Sequence, residues 1–240
     1  LVGSEMCIRD RVHIFYDGCD LTKFGSYPTV VGFTTNTTIM RQSNQLNYKS
    51  FYTQFRDVIQ GRPISFQIFS DDETVAYQQA KDINTIGPNI FVKVPVINSK
   101  GVSMLPLAQK LLTEGIQVNV TAIFTKDQID SVVQFVKDTS TPTIVSVFGG
   151  RISDTGINPK DIIKYAVDQC SSNKLIQVLW AGCKDNLVIQ NADDIGCQIV
   201  TLPDAIISRI SRIGQPLDTL SCDTVKSFLK DAIEGGLTIL

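Results

Sequence analysis

The chain has 240 residues, of which 43% are hydrophobic and 19% charged, and its formal net charge at pH 7 is −2. With a pI of about 5.4 and no long run of like charge, it matches a phosphate backbone poorly, so we expect no nucleic-acid partner. No apolar stretch is long enough to span a membrane, and we expect a cytoplasmic protein with no membrane partner. The six cysteines form no CxxC pair and the only histidine is His13, which argues against a zinc site, a disulfide framework and a Ser-His triad.

Residues 1–11, LVGSEMCIRDR, resemble translated sequencing-adapter DNA. Their charged residues, among them Glu5, Arg9 and Asp10, leave no apolar segment for a signal peptide. We therefore expect a non-native extension at 1–11, with a natural tail as the alternative, and one domain over residues 12–240.

From His13 onward, runs rich in β-branched and aromatic residues alternate with segments of helical period. The pattern predicts eight strands, each followed by a helix or turn, and hence an α/β fold of the (β/α)8 or TIM barrel type. The predicted strands cover residues 13–17, 30–36, 64–69, 90–96, 118–124, 143–149, 175–182 and 197–203. An open, doubly wound sheet would need a glycine-rich phosphate loop after the first strand, and the sequence DGCD at 17–20 is not one.

Lys93 interrupts the apolar run IFVKVPV at 90–96, which is typical of a strand buried on both faces. Burying a charged ammonium costs on the order of several kcal/mol, so we expect the pKa of Lys93 to fall and its amine to lose its proton. A neutral amine is a nucleophile that forms a Schiff base with a carbonyl group. The alternative is an edge strand, which Pro95 would mark and the lysine would protect from aggregation.

Alternate residues of a barrel strand face the interior. On one parity, a group of mostly polar side chains collects near the carboxyl ends of the strands, where barrel enzymes hold their active sites. These residues are Asp17, Thr34, Asn36, Gln67, Lys93, Thr121, Ser146 and Phe148. They could be ordinary strand-end residues that face solvent, but their agreement across so many strands, with a lysine among them, favours a site.

Three motifs resemble those of the transaldolase and fructose-6-phosphate aldolase family: GFTTN at 32–36, FVKVPV at 91–96 and FGGRI at 148–152. The resemblance extends over residues 13–235, in order and with similar spacing. It implies a (β/α)8 barrel that acts on sugar phosphates through a lysine Schiff base, with neither a metal nor an organic cofactor. It also implies a homo-oligomer, and we expect subunit contacts on the last helical segment, from Thr224 to Ile233.

The resemblance also implies a role for each matching residue. Lys93 would be the Schiff-base lysine, Asp17 the acid/base, and Thr121 and Gln67 the residues that position a catalytic water. The implied substrate-binding residues are Asn36, Thr34, Ser146, Phe148, Lys184 and, for the phosphate, Arg151. From the residues alone, Asp17 or Asn36 could instead cap the helix that follows, and Arg151 could pair with Asp154.

Departures from the family pattern bear on the activity. Transaldolases of the family typically have glutamate on the third strand and phenylalanine on the sixth, whereas its aldolases have glutamine and tyrosine. Gln67 is aldolase-like, while Phe148 and Ser146 are transaldolase-like, so we expect transaldolase activity, with fructose-6-phosphate aldolase activity as the alternative. Gly182 removes a hydroxyl donor that the family commonly has, and Lys184 offers a point charge at the phosphate end. The pattern also leaves room for a barrel isomerase or for a non-catalytic sugar-phosphate binder.

Overall fold

Eight parallel strands close into a ring in the computed structural model, which describes residues 12–22 and 27–239. Each strand pairs with the next along the chain, and the last pairs with the first. The strands are β1 (His13–Asp17), β2 (Val30–Thr34), β3 (Ile64–Gln67), β4 (Ile90–Pro95), β5 (Val118–Ile123), β6 (Thr143–Val147), β7 (Ile176–Trp180) and β8 (Ile199–Leu202). The predicted (β/α)8 barrel is confirmed and the open-sheet alternative is wrong. The extension predicted at 1–11 lies outside the described residues.

Helices follow the strands and surround the ring. In the described ranges they are α1 (Thr37–Gln42), α2 (Tyr48–Ile59), α3 (Glu73–Asn84), α4 (Leu105–Thr113), α5 (Lys126–Val136), α6 (Gly149–Asp154), α7 (Lys160–Cys170), α8 (Leu187–Ile195), α9 (Asp204–Ile207) and α10 (Leu217–Glu234). Asp72 caps α3 by accepting a hydrogen bond from the Val75 backbone at 2.9 Å. Within the same ranges, none of the helices has the length and apolar character needed to cross a membrane.

The observed strands lie inside the predicted runs but most of them end earlier at the carboxyl side. The second, for example, ends at Thr34 and the sixth at Val147. The chain still keeps a barrel hydrogen bond just beyond the strand, because the Phe148 backbone N–H donates to the carbonyl of Ile123 at 2.9 Å. The residues past these ends bend outward into loops, where they surround the mouth of the barrel.

Two separate apolar layers stabilise the ring. The larger one fills the space between strands and helices, and the smaller one lies inside the barrel. The interior layer contains Phe15, Phe91, Ile144, Leu179, Ala181 and Ile199, with Phe148 packed on it. Gly32 makes room for this layer, since a Cβ atom there would lie 2.5 Å from the ring of Phe15. The interior layer closes the barrel beneath the polar residues at its mouth.

Helix α10 differs from the other long helices because it buries none of its residues. Val225, Phe228, Leu229 and Ile233 are each more than 60% exposed, and they share one side of the helix. The other side carries mainly charged and polar residues. In this chain α10 is thus an amphipathic helix whose apolar side has no partner among the described residues.

Gly32→Ala should destabilise the barrel by about 1–3 kcal/mol, because the added methyl overlaps the Phe15 ring in a filled interior. Urea unfolding followed by circular dichroism measures the change. Val31→Ala, at a side chain that is 40% exposed on the other face of the same strand, should cost less. The double variant Gly32→Ala/Phe15→Leu should recover part of the loss, and equal losses for the two single variants would contradict this account of the interior.

Candidate active site

Lys93 lies inside the ring, on a strand that has neighbours on both sides. In register it faces Gln67 on β3 and Asn119 on β5. The residue is only 4% exposed, and its Nζ donates a hydrogen bond to the backbone carbonyl of Thr35 at 2.9 Å. The edge-strand interpretation is therefore wrong, and the lysine is enclosed by the barrel.

Burial acts on Lys93 and Asp17 in opposite senses. It lowers the pKa of the Lys93 ammonium below its usual 10.5, and the charge of Asp17 opposes that shift without cancelling it. Burial likewise raises the pKa of Asp17 above its usual 3.8, against the charge of Lys93 and a hydrogen bond from Thr34. Both shifts act against the charged forms, so the mouth of the barrel brings together a lysine and an aspartate whose charged forms burial disfavours.

Asp17 is held by a threonine on the neighbouring strand. Thr34 Oγ1 donates to Asp17 Oδ1 at 2.8 Å, and the same oxygen lies 2.6 Å from Oγ1 of Thr201 on β8. Near the start of the segment that follows, Asp20 accepts a hydrogen bond from the Thr22 backbone at 3.3 Å. Thr201 was not among the predicted site residues. Its parity with the interior Ile199 was the signal available in the sequence.

A second chain of side-chain hydrogen bonds passes beneath Lys93. Asn119 Nδ2 donates to Ser65 Oγ at 3.1 Å, and Ser146 Oγ donates to Asn119 Oδ1 at 2.7 Å. All three side chains are buried. The Asn119–Ser65 bond joins β3 to β5 across the strand that carries Lys93. Buried polar groups whose hydrogen bonds are all formed make their surroundings rigid. This chain therefore holds the strands around Lys93 in place.

Thr121 has a buried hydroxyl without a hydrogen-bond partner among the described residues. Such a group costs free energy unless something in the site uses it, which suits a hydroxyl that binds water or substrate. The next residue, Ala122, has φ of +61°, and the pairing of β5 with β6 shifts register between Val120 and Ile123. A bulge of this kind turns the strand where Thr121 leaves the ladder.

Asn36 lies just past the end of β2 and caps α1. Its Oδ1 accepts a hydrogen bond from the Ile39 backbone at 2.9 Å, as the capping alternative predicted. The cap uses only the carbonyl oxygen, so the amide nitrogen retains two protons for other contacts. Asn36 is partly exposed at the rim, as is Gln67 at the end of β3.

The phosphate end of the predicted site is only partly assembled. Arg151 is exposed on α6, with its guanidinium carbon 5.6 Å from the centre of the Phe148 ring. Asp154 forms an ion pair with Lys184, so the predicted alternative of an Arg151–Asp154 pair is wrong. The same pair occupies Lys184, which would have to leave Asp154 to meet a phosphate. In this arrangement the Lys184 ammonium is engaged by Asp154.

Glycines allow α6 to approach the loop that follows β7. The Gly150 backbone N–H donates to the carbonyl of Ala181 at 3.2 Å. A Cβ atom on Gly150 would lie 1.5 Å from the carbonyl oxygen of Gly182, so no other residue fits there. The preceding Gly149 is required for another reason, because a Cβ atom there would lie 2.2 Å from Trp180 Nε1. As for metals, the described residues contain no group of three or more His, Cys, Asp or Glu side chains placed to hold an ion.

The protein is thus a (β/α)8 barrel that holds a buried lysine and an aspartate at the carboxyl ends of its strands. Comparison with known protein families confirms the relationship that the three sequence motifs indicated. The profile of the Transaldolase/Fructose-6-phosphate aldolase family matches residues 14–238, and the chain belongs to that family of enzymes.

Similar proteins support the same assignment. A probable transaldolase of Clostridioides difficile is 28% identical over 203 residues, which cover 84% of this chain and 87% of the relative. One from Nitrosopumilus maritimus is 27% identical over 91% of this chain and 93% of its own length. Among solved structures, a mutant tryptophan synthase α-subunit from Pyrococcus furiosus matches with a TM-score of 0.57 and 11% identity, over 85% of this chain and 91% of that one. That likeness is one of fold alone.

Replacing both buried groups, in Lys93→Met/Asp17→Asn, should stabilise the protein at pH 7 by about 1–4 kcal/mol, because neither neutral side chain carries the cost of a buried charge. Lys93→Met alone should gain less, since the cost of burying Asp17 remains. The measurement is the free energy of unfolding in urea at several pH values.

The pH dependence has a defined sign. Between the lowered native pKa of Lys93 and 10.5, the unfolded chain holds a proton that the native protein lacks, so wild-type stability rises with pH. The advantage of the double variant should therefore shrink as the pH approaches 10.5. Lys137→Met, at an exposed lysine after α5, is the control and should show no such trend. A constant advantage would mean that Lys93 is protonated in the native state.

Proposed function

We propose that the protein is a transaldolase that transfers a dihydroxyacetone unit between sugar phosphates through a Schiff base on Lys93. The observation that carries this proposal is the enclosed amine of Lys93 beside Asp17 at the mouth of the barrel. A neutral amine is needed to attack a ketone, and burial favours that form. A partner that can accept and return a proton is needed too, and Asp17 has the raised pKa that suits such a group.

The reaction begins when the Lys93 amine attacks the C2 carbonyl of a ketose phosphate. Loss of water gives an iminium ion, which withdraws electrons from the neighbouring bonds. The C3–C4 bond then breaks, its electron pair forming an enamine, while Asp17 takes the proton of the C4 hydroxyl. The aldehyde leaves, and a three-carbon unit stays bound to Lys93. Thr121, with its unpaired hydroxyl, would hold the water that is lost and later regained.

The fate of the bound enamine separates the two activities. In transfer it attacks the carbonyl carbon of an acceptor aldehyde, and Asp17 returns the proton to the new alkoxide. In aldolase action it is protonated and hydrolysed to free dihydroxyacetone. Phe148 has no hydroxyl with which to deliver a proton or hold water near the enamine, which favours transfer, and Ser146 agrees with it by family pattern. Gln67 is the observation that favours the aldolase alternative, since the family's aldolases have glutamine there.

Arg151 is our candidate for the substrate phosphate. Its exposed guanidinium lies over Phe148 at the rim, on a helix that begins where β6 ends. Arginine binds phosphate through two parallel hydrogen bonds, so one such side chain can fix the orientation of the sugar. We assign the sugar hydroxyls to Asn36, just past the end of β2, because its helix cap does not use its amide nitrogen.

Incubation with fructose 6-phosphate and borohydride should leave a reduced adduct on Lys93, detected by peptide mass spectrometry. Lys93→Met should lose both the adduct and turnover and remain folded, whereas Lys137→Met should behave as wild type. A barrel isomerase would exchange substrate protons without an adduct, and a non-catalytic binder would bind the sugar with neither. An adduct on any other lysine would overturn the proposed chemistry.

The partition between products then decides between transfer and release. With fructose 6-phosphate and erythrose 4-phosphate together, we expect sedoheptulose 7-phosphate, with little free dihydroxyacetone in the absence of the acceptor. The rate of dihydroxyacetone release should stay below about a tenth of the transfer rate, a difference of roughly 1.4 kcal/mol in barrier. Release at the same rate with and without acceptor would favour the aldolase.

We also propose that the protein is a homo-oligomer in which α10 of one copy docks on the next. A groove of about 670 Å³ lies between α1, α2 and α3, with Leu46 and Phe69 exposed at its apolar lining. Arg41 and Lys49 give its rim a basic character, while acidic residues outnumber basic ones on α10. An amphipathic helix and an apolar groove of opposite charge form a helix-in-groove interface.

Phe228→Asp should convert the protein to a monomer of 26.4 kDa in sedimentation analysis, because it places a charge in the apolar side of α10. Leu46→Asp should do the same from the groove. Ser227→Asp, on the polar side of the helix, is the matched control and should leave the assembly intact. Dissociation by Phe228→Asp but not by Leu46→Asp would place the helix on a different surface, and a monomeric wild type would exclude the assembly.

A further inference from the structure

We infer that Thr201 is a positioning residue that holds the Asp17 carboxyl group in its working orientation through the hydroxyl of Thr34. No role for Thr201 follows from the motifs that identify the family in this sequence. The kinetic part of this inference rests on the proposed function, because it takes Asp17 as the base. The structural part does not, because it concerns a chain of three side chains inside the barrel.

The three residues come from three adjacent strands. In register, Asp17 on β1 faces Thr34 on β2, and Thr201 on β8 faces Phe15, two residues before Asp17. Thr34 and Thr201 are each 2% exposed, and their hydroxyl oxygens are 2.6 Å apart. Their hydrogen bond therefore passes across β1 on the inside of the ring, next to the side chain of Asp17.

The number of hydroxyl protons fixes the direction of each hydrogen bond in this chain. Thr34 has one hydroxyl proton, and its Oγ1 donates to Asp17 at 2.8 Å. The short contact to Thr201 then requires that Thr201 donate its own proton to Thr34. An ionised carboxylate can only accept, so the charged form of Asp17 aligns both hydroxyls towards itself. Hydrogen bonds in such a chain polarise one another, which makes the last bond to the carboxylate stronger.

Loss of the Thr201 hydroxyl should therefore weaken the support of ionised Asp17. Thr34 Oγ1 would remain as a buried acceptor without its donor, and its own proton would be free to turn away from the carboxylate. The charged or titratable groups that face Asp17 are Lys93 from β4 and the thiols of Cys19 and Cys183. Burial raises the pKa of both thiols, to about 12 for Cys19, so both stay uncharged across the working range.

Thr201→Val removes the hydroxyl and nearly keeps the shape of the side chain. We expect the acidic limb of the pH profile of kcat/KM for fructose 6-phosphate to move to higher pH by about 0.5–1 unit, because the pKa of the base rises when its hydrogen-bond support weakens. Thr201→Ser, which keeps the hydroxyl, should restore the wild-type profile. Thr143→Val, at another buried threonine of the ring, should leave the profile unchanged.

Carbon-13 NMR titration of the Asp17 carboxyl group gives a second readout that needs no turnover. The titration of Asp17 should move to higher pH in Thr201→Val and should not move in Thr201→Ser. A shifted titration in a protein without aldol activity would leave the inference standing and reject the proposed function. Normal activity with an unshifted titration would overturn the inference. If Thr201→Val is too unstable to titrate, Thr201→Ala removes the same hydroxyl with less crowding and gives the same comparison.

Discussion

The structure depends on the enclosure of one amine and one carboxyl group by a closed ring of strands. Transfer out of water disfavours the charged form of both groups, so the ring lowers the pKa of Lys93 and raises the pKa of Asp17. Closure is essential, because an open sheet would leave a strand edge through which solvent could reach Lys93. The interior layer of Phe15 and its neighbours fills the barrel on one side of Lys93 and Asp17.

The ring also supplies two internal ties of the same design. Ser65 and Asn119 join the strands on either side of Lys93, and Thr34 and Thr201 join those on either side of Asp17. Each reactive side chain thus rises from a strand whose two neighbours are linked to each other inside the barrel. Short polar side chains do this where longer ones would fill the space that a substrate needs. Supports of this kind fix side-chain geometry, which the proposed roles of Lys93 and Asp17 would require.

The sequence predicted the barrel and the position of Lys93 for the same reason. A strand pattern that repeats eight times is hard to mistake, and a lysine within an apolar run conflicts with its surroundings strongly enough to be noticed. Thr201 gave no such conflict, because threonine is ordinary in a strand and its partner lies 167 residues away. The pairing of Lys184 with Asp154 was equally hidden, since it depends on how the end of α6 meets the loop after β7. The local sequence pattern predicts strands, helices and residues that conflict with their surroundings. Contacts between residues that are distant in sequence can be seen only in the folded structure.

The backbone contact between Gly150 and Gly182 has a consequence for engineering. Helix α6 carries Arg151, and the loop after β7 carries Lys184, and the two segments touch with no side chain between them. They cannot shift relative to each other without a collision of main-chain atoms. If only one of these segments were replaced by that of a relative, its backbone would no longer fit against the backbone of the other. Any redesign of this part of the rim would need to transplant both segments together.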